Sequence, residues 1–300
     1  MIRNFIYIFL FLAVNNVQGQ TAFKNKISLN AYSFHNLLRQ YHSDPAKGIS
    51  LKALLDFCAE HNFDAVDLTA YYFPGYPQPP ADSFIYSIKK KAHALGLEIS
   101  GTGVRNDFAN IDPPKRAADV QLVKDWIDVA AKLGAPVVRI FSGNIPKGYE
   151  NKWDSIAVYM AKDIRECADY AQEKGILLGI QNHNDFLKTS GETIKLLQLI
   201  NHDWVGVVAD IGSFPTKNPY RDIKNIMPYA VNFQFKEYVT TINGVEKTDV
   251  KKILKIVKNS KYRGYLPIET LPDPADKSKT YDPLQSVPQF LALIKTAMRN

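Results

Sequence analysis

Four side chains with oxygen donors follow apolar runs in the second half of the chain. They are Gln181, Asp210, Gln234 and Glu269. Carboxylate and amide oxygens are hard donors, which suit Mg²⁺ or Mn²⁺ better than they suit a metal that prefers thiolates. If the four runs are neighbouring strands, these oxygens meet at one height and could bind one divalent cation. We predict Mn²⁺ or Mg²⁺, with Zn²⁺ or Ca²⁺ as alternatives, and a metal-free hydrogen-bond network as the competing interpretation.

Two nitrogen-bearing side chains lie close to these oxygens in the sequence. His183 is two residues beyond Gln181, and residues i and i+2 of a strand share one face. A histidine with an unperturbed pKa of about 6.5 suits proton transfer, so we predict His183 and Glu269 as catalytic groups. We also predict Lys236 as a catalytic cation for an oxyanion or a leaving group, with Glu237 as its ion-pair partner. The alternatives are a histidine bonded to loop backbone and a simple ion pair at the rim.

Further side chains are predicted to bind substrate. Arg139 lies in an otherwise apolar run, where a guanidinium group must find a charge partner or a ligand. The aromatic, proline-rich stretch at residues 71–80 offers rings that could stack on the apolar face of a sugar. His35 is either a ligand contact or a loop hydrogen-bonding residue. The predicted binding residues are His35, Arg105, Arg139, Asn182 and Glu237.

Eight apolar, β-branched runs alternate with segments of helical period, such as residues 51–59 and 164–172. Eight strand-then-helix units predict a parallel sheet closed into a single-domain (β/α)₈ TIM barrel, which needs about 250 residues. In that fold the loops after the strands build the active site, and the predicted residues fall there. The runs lie at residues 27–31, 65–68, 97–100, 137–141, 176–180, 205–208, 231–235 and 264–268.

The last four runs carry the residues of a known family. With GIQNH at 179–183, VADIG at 208–212, QFKE at 234–237 and PIETL at 267–271, the chain resembles the sugar isomerase/epimerase superfamily with the xylose-isomerase-like barrel. The resemblance implies Glu, Asp, His and Glu ligands to one metal, with the two Glu residues also acting as acid and base. Asp210 and Glu269 match that pattern. Gln181 and Gln234 depart from it.

The departures bear on the reaction. Gln cannot accept and return a proton, so His183 is predicted to replace it as the partner of Glu269. The resemblance implies proton abstraction next to the carbonyl of a free sugar or keto-sugar through an enediolate, giving isomerisation or epimerisation. Elimination by a keto-sugar or keto-glycoside lyase or dehydratase is the alternative, and it gains weight from the loss of one proton carrier. A secreted carbohydrate-binding barrel without catalysis is the second alternative.

The N-terminus and the composition bound the setting. Residues 1–19 are predicted to be a signal peptide because a basic start, a short apolar run and small residues precede Gln20. We therefore expect residues 20–300 to form an exported barrel that is periplasmic or secreted and is not held in a membrane. Its formal charge falls from +7 to +6 and is dispersed over lysine-rich helices, which argues against nucleic-acid binding. Cys58 and Cys167 are predicted to be buried free thiols, and a homo-oligomer is expected from barrels of this kind.

Overall fold

The computed structural model describes residues 23–183, 186–276, 278 and 280–299. The predicted signal peptide at 1–19 lies outside these residues. Eight parallel strands close into a barrel in the order β1-β10-β7-β6-β5-β4-β3-β2, which confirms the predicted fold. The strands are β1 Ile27–Asn30, β2 Ala65–Thr69, β3 Glu98–Gly103, β4 Val137–Phe141, β5 Leu177–Gln181, β6 Val205–Asp210, β7 Ala230–Lys236, β8 Tyr238–Thr241, β9 Gly244–Lys247 and β10 Leu266–Glu269.

Helices connect the barrel strands and cover the outside of the sheet. The predicted helical segments at 51–59 and 164–172 are confirmed. Local signals set the helix ends: Gly134 and Gly175 adopt φ values of 83° and 69° after α4 and α5, and Thr189 and Glu192 form a capping box at α6. The helices are α1 His35–Ser43, α2 Leu51–Glu60, α3 Asp82–Ala94, α4 Pro113–Leu133, α5 Trp153–Lys174, α6 Ser190–Ile200, α7 Pro219–Ile226, α8 Val250–Asn259 and α9 Pro283–Arg299.

Strands β8 and β9 form an antiparallel hairpin outside the barrel. The hairpin lies between β7 and α8, and Thr240 Oγ donates to the backbone oxygen of Gly212 at 2.6 Å. The hairpin has no sequence signature of a barrel strand, because its residues are mostly exposed and do not form an apolar run. The hairpin covers the loop after β6, which carries part of the candidate site.

The hydrophobic core lies between the barrel and its helices, with large buried side chains such as Trp126 and Phe233. Cys58 and Cys167 are buried and free, as predicted. None of the described helices combines the length and the apolar character needed to cross a membrane.

The barrel interior is polar beneath the mouth. The hydroxyl oxygens of Ser28 and Ser100 lie 2.6 Å apart, and Asn232 Nδ2 donates across the barrel to Asp67 Oδ2 at 3.2 Å. Burial raises the pKa of Asp67 to about 6. A polar interior continues upward into the cavity at the strand ends, so the site is supported from below by hydrogen bonds rather than by apolar packing alone.

Candidate functional site

A cavity of about 570 Å³ opens at the carboxyl ends of the barrel strands. That volume lies within the usual range for a small-molecule site. The structure brings most of the residues predicted from sequence to its wall. The predicted residues that line it are His35, Arg105, Arg139, Gln181, His183, Gln234, Lys236 and Glu269.

An ion cluster forms the β5–β10 side of this cavity. The ammonium nitrogen of Lys236 lies 2.9 Å from Asp210 Oδ2 and 3.4 Å from Glu269 Oε1. The lysine side chain is 14% exposed, and that of Asp210 is not exposed at all. Lys236 therefore pairs with two carboxylates across neighbouring strands. The prediction that Lys236 pairs with Glu237 is therefore wrong. Adjacent residues of a strand point to opposite faces, and the ammonium group of Lys236 faces Asp210 and Glu269 instead.

Asp210 accepts hydrogen bonds at both of its carboxylate oxygens. Oδ2 accepts from Gln181 Nε2 at 2.7 Å and from Ser213 Oγ at 2.9 Å, in addition to the bond from Lys236. Oδ1 accepts from the backbone N–H of Gly212 at 2.9 Å. A carboxylate offers about four lone-pair positions. Three of the four donors reach Oδ2, so that oxygen is fully engaged, and Oδ1 accepts one.

These contacts bear directly on the predicted metal site. The four predicted ligands do come together, but Gln181 presents an N–H group to Asp210, and Gln234 Oε1 accepts from Asn30 Nδ2 at 2.7 Å. An ammonium group lies between the two carboxylates that would have to bind the ion. Within the described residues, no group of three or more His, Cys, Asp or Glu side chains is arranged to hold a metal. The donor set, as arranged, does not fit a divalent cation.

The electrostatic environment shifts the pKa values of Asp210 and Glu269 in opposite directions. Burial alone would raise the pKa of Asp210, but Lys236 and His183 hold it below its usual value. Burial also acts on Glu269, and there it prevails over the attraction of Lys236, so the pKa of Glu269 is raised. Asp210 is therefore a permanent anion. Glu269 is the carboxyl group suited to exchanging a proton.

Lys236 is a fixed cation. Burial would lower the pKa of its ammonium group, but the charges of Asp210 and Glu269 outweigh that effect and raise it. A protonated amine has no lone pair, so Lys236 can donate hydrogen bonds and stabilise negative charge but cannot act as a nucleophile.

His183 lies on the same side of the cavity. It lines the wall beside Glu269, and its ring packs edge-on against Phe141 with centroids 5.3 Å apart. His183 therefore lies at the cavity on the same side as Gln181, as predicted.

Asn182 is buried and does not line the cavity, contrary to its predicted contact with substrate. Its side chain binds the backbone of Asp210 twice. Asn182 Nδ2 donates to the carbonyl oxygen at 2.9 Å, and Asn182 Oδ1 accepts from the N–H at 2.9 Å. Because it follows Gln181 directly, it points to the opposite face of the strand. Asn182 is therefore a positioning residue for Asp210.

The β1–β4 side of the cavity is built from aromatic rings and Arg139. Arg139 Nη1 donates to the backbone oxygen of Val104, and Nη2 donates to the Tyr71 hydroxyl at 3.0 Å. Its guanidinium group lies 4.0 Å from the ring centre of Phe141. A Cβ at Gly103 would lie 2.8 Å from Arg139 Nε, so this glycine makes room for the arginine. Among the described residues, Arg139 is bound by hydrogen bonds and aromatic rings, and no carboxylate lies within ion-pair distance of it.

His35 and Arg105 line the same side. His35 Nδ1 and the Tyr72 hydroxyl are 2.9 Å apart. Burial, followed by the charges of Arg39 and Arg105, lowers the pKa of His35. The imidazole is therefore neutral at neutral pH, and it can hydrogen-bond a ligand hydroxyl group without adding charge. Arg105 is exposed at the entrance of the cavity.

Glu237 lines a second, smaller cavity of about 240 Å³. Burial raises the pKa of Glu237 to about 7, against the attraction of Lys247. The two cavities share His183, Lys236 and Glu269 in their walls. The ion cluster thus lies between two adjoining spaces, and a protonatable carboxyl group is present in the smaller one.

Several lining residues were not predicted as site residues. They are Asn30 and Thr69, which join the predicted Gln234 in a chain of side chains across the barrel mouth: Thr69 Oγ donates to Asn30 Oδ1 at 3.5 Å, and Asn30 Nδ2 donates to Gln234 Oε1 at 2.7 Å. Asn30 ends β1 as Gln181 ends β5, so its position at a strand end was the signal that could have identified it. Within the aromatic stretch, Tyr71 lines the cavity, whereas Tyr72 and Phe73 are buried.

Comparisons with known proteins agree with this architecture. The family model described as a xylose isomerase-like TIM barrel matches residues 55–288. An uncharacterized protein of Methanocaldococcus jannaschii is 23% identical over 239 residues, covering 73% of this chain and 79% of that protein. The D-psicose 3-epimerase of Clostridium cellulolyticum H10, solved with D-tagatose, has a TM-score of 0.69 at 15% identity over 91% of this chain and 99% of its own. The E. coli 3-keto-D-glucoside 4-epimerase has a TM-score of 0.67 at 12% identity over 91% and 100%.

Proposed function

The chain belongs to the xylose isomerase-like TIM barrel family, and on that premise we propose that it is a sugar isomerase or epimerase. Its substrate is a free sugar or keto-sugar, and its reaction begins with removal of a proton next to a carbonyl group. The observation that carries the proposal is that a carboxyl group, Glu269, and an imidazole, His183, line one cavity together with the ammonium group of Lys236.

Glu269 acts as the general base. Burial raises its pKa, and a carboxylate with a raised pKa is a stronger base. It takes the proton from the carbon next to the carbonyl. The C–H electron pair becomes the new C=C bond, and the carbonyl oxygen takes up the negative charge of the enediolate.

Lys236 stabilises that negative charge. Its ammonium group has three N–H donors and is held by Asp210 and Glu269 before the reaction begins. A preorganised donor of this kind favours the charge that develops in the transition state, typically by about 10²–10³-fold in rate. No reorganisation of the site is needed at that moment.

His183, in its protonated form, donates a proton to a carbon of the enediolate, while the abstracted proton stays on Glu269. Protonation of the same carbon from the other side gives the epimer, and protonation of the neighbouring carbon gives the isomer. Exchange with water then resets Glu269 and His183. The aromatic side of the cavity, with Tyr71 and Phe141, packs on the C–H face of the sugar while Arg139 and His35 bind its hydroxyl groups.

A second candidate function is supported by the smaller cavity. A keto-glycoside has a sugar and a leaving group, and two adjoining cavities could hold one each. After the same proton abstraction, the enediolate expels the β-substituent, the C–O bond breaks, and Glu237 protonates the leaving oxygen. The carboxyl of Glu237, with a pKa of about 7, is suited to that step. This lyase or dehydratase reaction uses the same base.

One experiment separates these functions. The purified protein is incubated in D₂O with ketohexoses and 3-keto-glucosides, and the products are followed by NMR. Deuterium at the carbon next to the carbonyl in an isomer or epimer supports the leading proposal, and release of the leaving group supports the lyase. Binding of sugars without exchange or elimination, in wild type and Glu269→Gln alike, would favour the carbohydrate-binding protein. Neither exchange nor elimination anywhere in the panel contradicts an enzyme of this class.

We also propose that the protein is exported, on the support of the N-terminal sequence alone. A free sugar outside the cytoplasm then fits better as substrate than a phosphorylated metabolite. The test is the N-terminus of the protein recovered from periplasm or medium. A start at Gln20 supports cleavage after Gly19, and an intact Met1 in the cytosol contradicts export.

A further inference from the structure

We infer that the Lys236 ammonium group occupies the cation position of this site, so that the barrel carries a built-in monovalent cation in place of a divalent metal ion. The inference rests on the proposed function for its chemical use only. The cation-binding behaviour that it predicts is independent of any substrate.

The first support is the position of the ammonium nitrogen. It lies within ion-pair distance of both carboxylates at the cavity, 2.9 Å from Asp210 and 3.4 Å from Glu269. Two carboxylates from adjoining regions of the barrel wall would repel each other strongly at low dielectric without a cation between them. Lys236 supplies that cation from within the chain.

The second support is the space made for the lysine. A Cβ at position 212 would lie 2.7 Å from Cδ of Lys236, so Gly212 leaves room for the lysine stem. The backbone N–H of Gly212 meanwhile donates to Asp210 Oδ1. The loop after β6 is thus fitted both to the lysine stem and to the carboxylate that the lysine binds.

The third support is the charge balance. Gln181 and Gln234 are neutral, so the carboxylates of this ring contribute two negative charges, of which Lys236 neutralises one. A divalent ion added to the same ring would bring the positive charge to three. The ring would then carry a net positive charge, which disfavours a divalent ion beside Lys236, and the three donors on Asp210 Oδ2 already occupy that oxygen.

The chemical use follows from the number of donors. A lysine ammonium group has three N–H donors, and two carboxylates face it here. The third donor is available to an oxygen of a ligand, because Lys236 lines both adjoining cavities. The carbonyl oxygen of a bound sugar would thus be polarised by a hydrogen-bonded ammonium group.

The test measures Mn²⁺ binding by electron paramagnetic resonance in wild type, in Lys236→Ala and in Lys236→Met. A matched control is Lys251→Ala, which changes an exposed lysine at the start of α8. We expect no stoichiometric Mn²⁺ in wild type or in the control. Removal of the ammonium group leaves Asp210 and Glu269 facing each other, so both Lys236 variants should gain a stoichiometric Mn²⁺ site.

Thermal unfolding provides the second readout. It also shows whether each variant is folded, because a folded variant has a cooperative transition. Ligands that bind only the native state raise Tm. Mn²⁺ should therefore raise the Tm of Lys236→Ala and leave that of wild type unchanged. A double variant, Lys236→Ala with Gln181→Glu, adds a carboxylate and should bind Mn²⁺ more tightly than the single variant.

Two results would overturn the inference. One is stoichiometric Mn²⁺ binding by the wild-type protein, with Lys236 still present. The other is no Mn²⁺ binding by any variant, including the double variant. Neither readout uses substrate. A protein that exchanges no proton with any sugar but gains Mn²⁺ on loss of Lys236 would contradict the proposed function and leave this inference standing.

Discussion

The two sides of the cavity wall are stabilised in different ways. On the side of β1 to β4, Arg139 donates to a backbone carbonyl and to the Tyr71 hydroxyl and lies over the ring of Phe141. On the side of β5 to β10, Asp210, Lys236 and Glu269 are joined by charge. Under the proposed function, the first side offers rings and donors to a neutral sugar, and the second responds to a charge that develops during reaction. The proposal therefore assigns binding to one side and chemistry to the other.

On each side of the cavity, the side chain of an asparagine makes two hydrogen bonds to the backbone of one wall residue. Asn106 Nδ2 and Oδ1 bind the carbonyl oxygen and the N–H of Phe141 at 2.7 and 2.9 Å. Asn182 binds the backbone of Asp210 in the same way. One asparagine therefore fixes an aromatic wall residue, and the other fixes the central anion of the ion cluster. Equal backbone contacts should have unequal consequences for activity.

The largest effect is expected on the chemical side. Glu269→Gln keeps the size of the side chain and removes its ability to exchange a proton, so kcat should fall about 10²–10⁴-fold. KM should change little, because the contacts on the aromatic side remain. Steady-state kinetics or the deuterium-exchange rate measures the change, with Glu60→Gln on the outer helix α2 as the control. An unchanged kcat would move the chemistry away from this side of the cavity.

The two asparagines sharpen the comparison. Asn182→Ala and Asn106→Ala each leave a backbone N–H and a backbone C=O without their side-chain partner, which should lower the free energy of unfolding by roughly 2–5 kcal/mol in each case. Chemical denaturation measures this loss. Only Asn182→Ala should also reduce kcat, because it alone releases Asp210. Equal kcat losses in both variants would remove the distinction between the two sides.

The polar interior below the cavity has its own pH signature. The pKa of Asp67 is raised from 3.8 to about 6 in the folded protein, so the native state binds this proton more tightly than the unfolded chain does. The stability from this group is present below pH 3.8 and is lost as pH rises through about 6. Two pKa units correspond to about 3 kcal/mol.

Asp67→Asn removes that titration. The stability of the variant relative to wild type should therefore increase as pH rises from acid to neutral, and denaturation curves at several pH values measure the difference. Subtraction of the two proteins cancels the other titrating groups. A difference that does not vary with pH would show that Asp67 titrates normally in the folded state.

The smallest effect is expected on the aromatic side. Tyr71→Phe removes the hydroxyl that accepts from Arg139 Nη2 at 3.0 Å and donates to the backbone oxygen of Val104 at 3.4 Å, while the ring remains. A hydrogen bond is worth about 1 kcal/mol, and the second of these is long, so KM should rise a few-fold and kcat should not change. Tyr86→Phe, on the exposed part of α3, is the matched control. A loss of kcat instead of a rise in KM would place this tyrosine with the chemical groups.

Strand alternation explains which parts of the site could be predicted from sequence. Apolar runs locate the barrel strands, and polar residues at their ends locate the mouth, so Gln181, Gln234 and Glu269 were found. Alternation also places Gln181 and Asn182 on opposite faces of one strand, and Lys236 and Glu237 on opposite faces of another, although all four residues are predicted site residues. The two partners of Lys236 lie on other strands, and a pairing across strands depends on barrel register, which residue spacing alone does not reveal.

The central claim is that an ammonium group, rather than a divalent metal ion, is the cation between Asp210 and Glu269. Its most direct test is anomalous diffraction at the manganese edge from crystals of wild-type protein grown with Mn²⁺. We predict no anomalous peak at the cavity and continuous density from Lys236 to both carboxylates. A strong peak bound by Gln181, Asp210, Gln234 and Glu269, with the lysine displaced, would contradict the claim and restore the metal site that the sequence predicts.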